Sequence, residues 1–367
     1  MRILHVTNEG RGSLAGLNTQ WLGAEFTVAC FTLEDLVRFR RSPDRDPVVQ
    51  REALDRAVAE TEGFDWVYAE APEAVLLHYA RTRHGLRPLR WIVNVVNLLE
   101  RVTPLRELIG RAYGDDPLVL AAADTGFRWY VTTRAHLEPL VAAGLPPERG
   151  AFIAANTVQA PILPGASQAL AEASTRPLPN SLRDVAGGIL LAGVNNRDVA
   201  TLARAAELAR VRVHILTDLD RVAPVASPWL NYHGLVPLPD FLAAVAAARV
   251  LVLALRAGEG SCGQQTLAFA QHLRTLLVAS DVPAVRDYLI DGVSGILVPP
   301  EDPVALASAL RRAPTEPGRA ALVEAAFQRN ARDNERVEQF FRDAFLAPAA
   351  GADPARQAGL LVPGSSP

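Results

Sequence analysis

The sequence predicts an α/β protein made of two doubly wound, Rossmann-like domains facing a cleft. Three observations carry that expectation. Short apolar runs alternate with amphipathic helical stretches along most of the chain, the rhythm of a parallel sheet wrapped by helices. The rhythm breaks once, in a stretch rich in proline, alanine and serine at 159–187. The length of 367 residues is enough for two separate cores.

In chain order the first set of runs is RILHVT (2–7), FTVACFTL (26–33), WVYAEA (66–71), WIVNVVNL (91–98), FRWYVTT (127–133) and GAFIAAN (150–156). Their valine, isoleucine and aromatic content favours strands. Between them lie helical stretches such as EAVLLHYARTRHG and RAHLEPLVAAG, each closed by a glycine, as helices often are. This gives a first domain at 1–158 and a connection at 159–187. The second set is GILLAG (188–193), VRVHILT (211–217), WLNYHG (229–234), RVLVLAL (249–255), TLLVAS (275–280) and GILVP (295–299), alternating with helices such as DVATLARAAELAR. It gives a second domain at 188–330. A helix at 331–347 is placed to cross back to the first domain, and the tail at 348–367, rich in glycine, proline and serine, is expected to be disordered.

Composition excludes several functions. The net charge is -3 with no basic block, so no nucleic-acid partner is expected. The chain has no lysine, which rules out Schiff-base chemistry and leaves arginine, backbone N–H groups and helix N-termini to hold any anion. No apolar run approaches a transmembrane span, although peripheral membrane contact stays open. The start, MRILHVTNEG, lacks a signal-peptide layout, so a cytoplasmic location is expected. Cys30 and Cys262 stand far apart and read as reduced structural thiols, and the histidines show no ligand spacing, so neither a metal nor a cofactor is expected.

Three stretches carry candidate chemistry. Gly10, Gly12 and Ala15 follow the first strand as G-x-G-x-x-A, with Glu34 or Asp35 beyond the second strand. That layout is the dinucleotide fingerprint, so an NAD-dependent oxidoreductase is one alternative; the plainer reading is a glycine loop facing the cleft. Asn195, Asn196, Arg197 and Asp198 lie between a strand and an amphipathic helix, where Asn196 or Asp198 caps the helix and Arg197 is available for a bidentate contact with a diphosphate. The third stretch, GEGSCGQQTLAFA at 258–270, reads as a small-residue turn opening a helix: the N–H groups of Gly263, Gln264 and Gln265 and the Ser261 hydroxyl would face an anion, with Glu259 beside them.

The order YHGLVPLPDFLAAVAAARVLVLAL, GEGSCGQQTLAFA and DYLIDGVSGILVPPEDPVALASAL, within 187–312, resembles the retaining, nucleotide-sugar-dependent glycosyltransferases of GT-B fold, of the group 1 or family 4 type. The resemblance implies that Arg197 stands where that family has a phosphate-binding lysine and that the backbone of Val236 meets the nucleobase. It makes Glu259 the catalytic position touching the donor sugar, with Arg197, Ser261, Gly263, Gln264 and Gln265 holding the diphosphate and Asn195 and Asn196 in the donor loop. Gly10, Gly12, Asn94 and Asn97 would then edge the acceptor cleft. Departures are plain. The second glutamate of the family's E-x7-E falls on Leu267, or in the other register on Ala268, and the first strand edge offers Asn94 and Asn97 where the family often has a histidine.

The expected function is therefore metal-independent sugar transfer from a nucleotide diphosphate sugar, which is a substrate and not a cofactor. The acceptor would be a glycan, a glycolipid or a small molecule, and the resemblance implies retention of configuration. A catalytically inactive GT-B scaffold that binds nucleotide, glycan or a partner transferase is the second reading.

Overall fold

The computed structural model describes residues 2–7, 27–32, 58–69, 74–95, 114–154, 166–258 and 262–346, and the tail at 348–367 lies outside them. The described residues form two compact units. The first holds those up to Ile153 together with 338–346, and the second holds Ala154 and 166–337.

In the first unit the strands are β1 (Arg2–Thr7), β2 (Thr27–Thr32), β3 (Trp66–Ala69), β4 (Arg90–Asn94), β5 (Phe127–Val131) and β6 (Gly150–Phe152). They lie in the order β2-β1-β3-β4-β5-β6, every pair parallel. Each falls on its predicted run, with β4 starting one residue early at Arg90. The helices described here are α1 (Ala74–Arg83), α2 (Pro117–Ala123) and α3 (Leu137–Ala142). Helix α2 starts where Asp116 accepts from the Leu118 N–H at 2.9 Å and Pro117 takes the first helical position.

Asp124, just past α2, joins three elements of this unit. It accepts from Nε2 of His78 in α1 at 2.8 Å and from the Gly126 N–H at 2.8 Å. Burial opposes its ionisation, but the bonds from His78 and Gly126 outweigh burial and hold its pKa below the usual carboxylate value. A depressed carboxylate stabilises the fold above its unfolded pKa and loses that contribution as pH falls through the folded value. Urea unfolding of the wild type should therefore weaken below about pH 4, and Asp124→Asn should remove that part of the acid limb.

The second unit contains β7 (Ile189–Ala192), β8 (Val213–Leu216), β9 (Leu230–Tyr232), β10 (Val250–Leu253), β11 (Leu276–Ser280) and β12 (Ile296–Val298). Their order is β12-β11-β10-β7-β8-β9, again all parallel. The runs ILLA, VHIL, VLVL and LLVAS are buried throughout, as expected of strands covered by helices on both faces. The helices are α4 (Ala166–Ala173), α5 (Val199–Ala209), α6 (Leu238–Ala247), α7 (Gln264–His272), α8 (Pro283–Arg286), α9 (Pro303–Arg312) and α10 (Arg319–Leu346). Part of the stretch read as a connection is packed here. Helix α4 lies against α6, and Arg176 pairs with Asp240 of α6 at 2.9 Å.

Helix α10 serves both units. Leu322 and Val323 join the core of the second. Its last turns belong to the first, where Phe341 meets Tyr68 edge to face at 5.2 Å and Phe345 meets Trp66 at 5.1 Å. The helix predicted at 331–347 is the end of this longer one, which begins at Arg319 because ALVEAAFQ continues the apolar period without a breaker.

Candidate functional site

Strands β7 and β10 are neighbours, yet the chain leaves them in opposite directions, to β8 and β9 on one side and to β11 and β12 on the other. Such a switch point opens a crevice at the carboxyl ends of the strands, where open α/β sheets bind ligands. The loops leaving this edge, 193–198 and 254–258, are laced together. The Asp198 N–H donates to the Ala254 carbonyl at 2.9 Å, the Arg256 N–H donates to Asn196 at 3.4 Å, and Asn196 Nδ2 donates back to the Arg256 carbonyl at 3.2 Å. Asn196 adopts φ 55°, which asparagine tolerates better than most residues. Of the two capping candidates it is Asp198 that caps α5, accepting from the Thr201 N–H at 3.0 Å.

Arg197 is only 5% exposed, and its guanidinium turns inward. Nε and Nη2 donate to the Ala192 carbonyl at 2.9 and 2.8 Å, and Nη1 donates to the Asn195 carbonyl at 2.6 Å. Nη2 also reaches Thr266 Oγ1 at 3.5 Å. The fork expected to grip a diphosphate is thus spent on the end of β7, leaving Nη1 one further N–H. Two glycines make room for it. Gly193 has φ 97°, and a Cβ there would collide with Nη2; Gly263 has φ 85°, and a Cβ there would lie 3.6 Å from Nη1 and 2.5 Å from Leu253 Cδ2.

Gly263 is also the N-cap of α7, so Arg197 stands at that helix's positive end, where Gln264 and Gln265 form the first turn. Burial lowers the Arg197 pKa to about 10, with Cys262 acting in the other direction, and the group remains charged at neutral pH. Among the described residues no carboxylate pairs with it. A buried cation beside a helix N-terminus repels it, and an anion between the two relieves that repulsion. Next to this point lies a cavity of ≈ 380 Å³, bounded by the loop after β7 and by residues 221–225. Its charged lining consists of Arg197, Arg221 and Arg256, and Arg221 is held by Asn195 Oδ1 at 2.9 Å.

Asn195, Asn196, Arg197, Gly263, Gln264 and Gln265 are therefore gathered at one edge of the second sheet. Val236 is half-buried at the same edge, just past β9. Asn94 ends β4 in the first unit. Glu259, Ser261, Gly10, Gly12 and Asn97 lie outside the described residues. The two positions available for a second glutamate, Leu267 and Ala268, are both fully buried in the face of α7 turned to the core. Sequence reasoning passed over Gly193 and Thr266, although a glycine closing a strand before a polar loop was a usable signal. Thr217 was also passed over; its hydroxyl donates to the Gly193 carbonyl at 2.9 Å. Among the described residues no cluster of His, Cys, Asp or Glu is arranged to hold a metal, and no helix is long and apolar enough to cross a membrane.

Residues 188–315 match the family model of the glycosyl transferases group 1. That stretch spans the second sheet and its helices through α9. Among curated proteins none matches the chain. Solved structures similar along the whole chain include HepE of Anabaena in complex with UDP and glucose, at 13% identity and TM-score 0.62, covering 95% of this chain and all (100%) of the other. The α,α-trehalose 6-phosphate synthase of Burkholderia multivorans is similar at 16% identity and TM-score 0.61, covering 98% and 97%. Sucrose-phosphate synthase of Thermosynechococcus elongatus is similar at 14% identity and TM-score 0.61, covering 95% and 100%. At these identities the likeness is one of fold. The chain has the GT-B fold, two parallel-sheet units in one chain.

Proposed function

We propose that the protein is a glycosyltransferase whose second unit holds a nucleoside diphosphate sugar at the β7/β10 switch point. The observation that carries this reading is the buried positive charge of Arg197 at the N-terminus of α7, which pairs with no carboxylate among the described residues, within the stretch that matches the family model. HepE of Anabaena was solved with UDP, and its fold extends over this chain, which supports a nucleoside diphosphate as the ligand. In the reaction the bond from the sugar's anomeric carbon to the diphosphate oxygen breaks. The acceptor hydroxyl oxygen bonds that carbon and its proton passes to the departing diphosphate. Fixed positive charge lowers the barrier by stabilising the leaving group. Arg197 would supply that charge electrostatically, and the first turn of α7 would supply the N–H groups. Glu259 would orient the donor sugar, with Ser261 beside the diphosphate. Asn94 and Asn97, with the Gly10 to Gly12 loop, would edge the acceptor. Neither metal nor cofactor is needed for these steps, and we take transfer to proceed with retention, to a glycan, glycolipid or small-molecule acceptor in the cytoplasm.

A second reading is favoured by one observation. Leu267 and Ala268 are core residues, so the helix offers no carboxylate for the ribose at either register, and a nucleotide-binding scaffold without transfer would look the same. Thermal unfolding with UDP, GDP, ADP and dTDP separates the outcomes. A nucleotide at 100 times its Kd stabilises by about 2.7 kcal/mol and raises Tm by a few degrees. A shift accompanied by turnover of the matching nucleotide sugar supports transfer. A shift without turnover across a broad acceptor panel supports the scaffold, and no shift with any nucleotide rejects the donor site.

A further inference from the structure

A second cavity lies in the first unit, at the amino end of its sheet. It measures ≈ 360 Å³ and opens between the end of α1, the turn 85–89 that leads into β4, and Ala123 and Asp124 just ahead of β5. That size falls among the smaller ligand cavities, which run from about 300 to 1,000 Å³. No residue of the donor edge contributes to it.

Its first polar group is His78 of α1. The ring meets Trp91 and Phe127 edge to face at 5.3 and 5.1 Å, and the side chain is 3% exposed. Asp124 is a carboxylate at neutral pH and can only accept, so the 2.8 Å contact puts the ring proton on Nε2. In the neutral ring Nδ1 is then a bare acceptor. It is buried and meets no donor among the described residues. Buried polar atoms are met as a rule, and a hydroxyl would meet this one.

The second group is Arg81, on the same face of α1 as His78 and 7% exposed. Nη1 donates to Thr61 Oγ1 and Nη2 to the Arg87 carbonyl at 2.8 Å, which leaves Nε and one N–H on each Nη. Among the described residues no carboxylate lies within ion-pair distance of it. Burial and then Arg87 lower its pKa, with Glu62 acting the other way. Arg87 lines the same cavity, although its exposed side chain also reaches Asp65 at 3.4 Å and the Phe64 carbonyl at 3.1 Å. Two guanidinium groups beside one cavity repel each other, and an anion between them relieves the repulsion.

The opposing charges are already engaged. Asp124, the acid in the described lining, accepts from His78 and from the Gly126 N–H at 2.8 Å. The carbonyls that end α1 are met within the turn by the N–H groups of His84, Gly85 and Leu86. Pro88, Leu89 and Leu120 complete the wall with apolar surface that suits a carbon skeleton. A phosphate monoester brings close to two negative charges and three terminal oxygens, which serve two guanidinium groups better than a carboxylate does. We propose that this cavity binds a small phosphate monoester of a polyol, with the phosphate on Arg81 and Arg87 and a hydroxyl donating to His78 Nδ1. The proposal uses no residue of the second unit and stands apart from the donor-site reading.

Calorimetric titration at about pH 7.5 with glycerol 3-phosphate, glucose 6-phosphate, inorganic phosphate, lactate and glucose tests it. At least one ester should bind about tenfold more tightly than inorganic phosphate, with lactate and glucose weaker than either. In His78→Gln the side-chain amide nitrogen still donates to Asp124 but the Nδ1 acceptor is gone, so inorganic phosphate should bind as before and the ester should lose its advantage. Arg81→Met should abolish ester binding. Arg87→Ala changes an exposed side chain, keeps the test open should the Arg81 variant misfold, and should weaken the ester at least about threefold. Arg197→Met should bind the ester like the wild type. Esters no tighter than inorganic phosphate, or lactate as tight as the esters, overturn the proposal. So do an ester preference kept in His78→Gln, unchanged binding in Arg87→Ala, and a loss in Arg197→Met, which would put the ester at the donor edge.

Discussion

Arg197→Met is expected to weaken nucleoside diphosphate binding at least about 100-fold and to cost about 2–4 kcal/mol of stability. Two causes act together. The guanidinium satisfies the Ala192 and Asn195 carbonyls at the end of β7, and methionine leaves both without that donor. It also supplies fixed positive charge beside the α7 N-terminus, which methionine removes. Arg197→Lys separates the two, because lysine keeps the charge but cannot fork onto Ala192. Calorimetric titration should find the lysine variant binding within about tenfold of the wild type, since each factor of ten is only about 1.4 kcal/mol. Urea unfolding should find both variants destabilised. A methionine variant that binds like the wild type would show that Arg197 is purely structural.

Gly193→Ala is expected to be nearly as damaging although it removes no functional group. At φ 97° any side chain is strained, and here the added Cβ runs into Nη2 of Arg197. Strain and displacement together should cost about 3 kcal/mol and reduce affinity in step with Arg197→Met. Gly187→Ala is the matched control. It too has positive φ, 70°, but nothing lies within 4 Å of its added Cβ, so it should cost only about 1–2 kcal/mol and leave binding unchanged. Equal binding by the two alanine variants would mean that the room beside Arg197 does not matter.

The strands were legible because each is a short apolar run with turn residues at its ends, and parallel strands covered on both faces tolerate little else. Asp198 and Gly263 were legible as a cap and a turn for equally local reasons. The direction of Arg197 was not. Sequence shows an exposed-looking arginine in a polar loop, and only the backbone of Gly193 and the carbonyl of Ala192 turn it inward. The His78 and Asp124 pair was equally hidden, since the fold brings together residues whose separation in sequence carries no signal. Helix α4 was read as part of a connection because the stretch around it is rich in proline, alanine and serine, whereas its packing against α6 depends on a surface that composition does not report.

The most direct measurement of the central claim is calorimetric titration with a nucleoside, its monophosphate and its diphosphate, run in parallel for uridine, guanosine, adenosine and thymidine. If Arg197 and the α7 N-terminus form a diphosphate site, one diphosphate should bind at least about 100-fold more tightly than its nucleoside, a difference of about 2.7 kcal/mol. Arg197→Met should remove most of that difference. Equal affinity along each series, or a diphosphate preference that persists in Arg197→Met, would contradict the account.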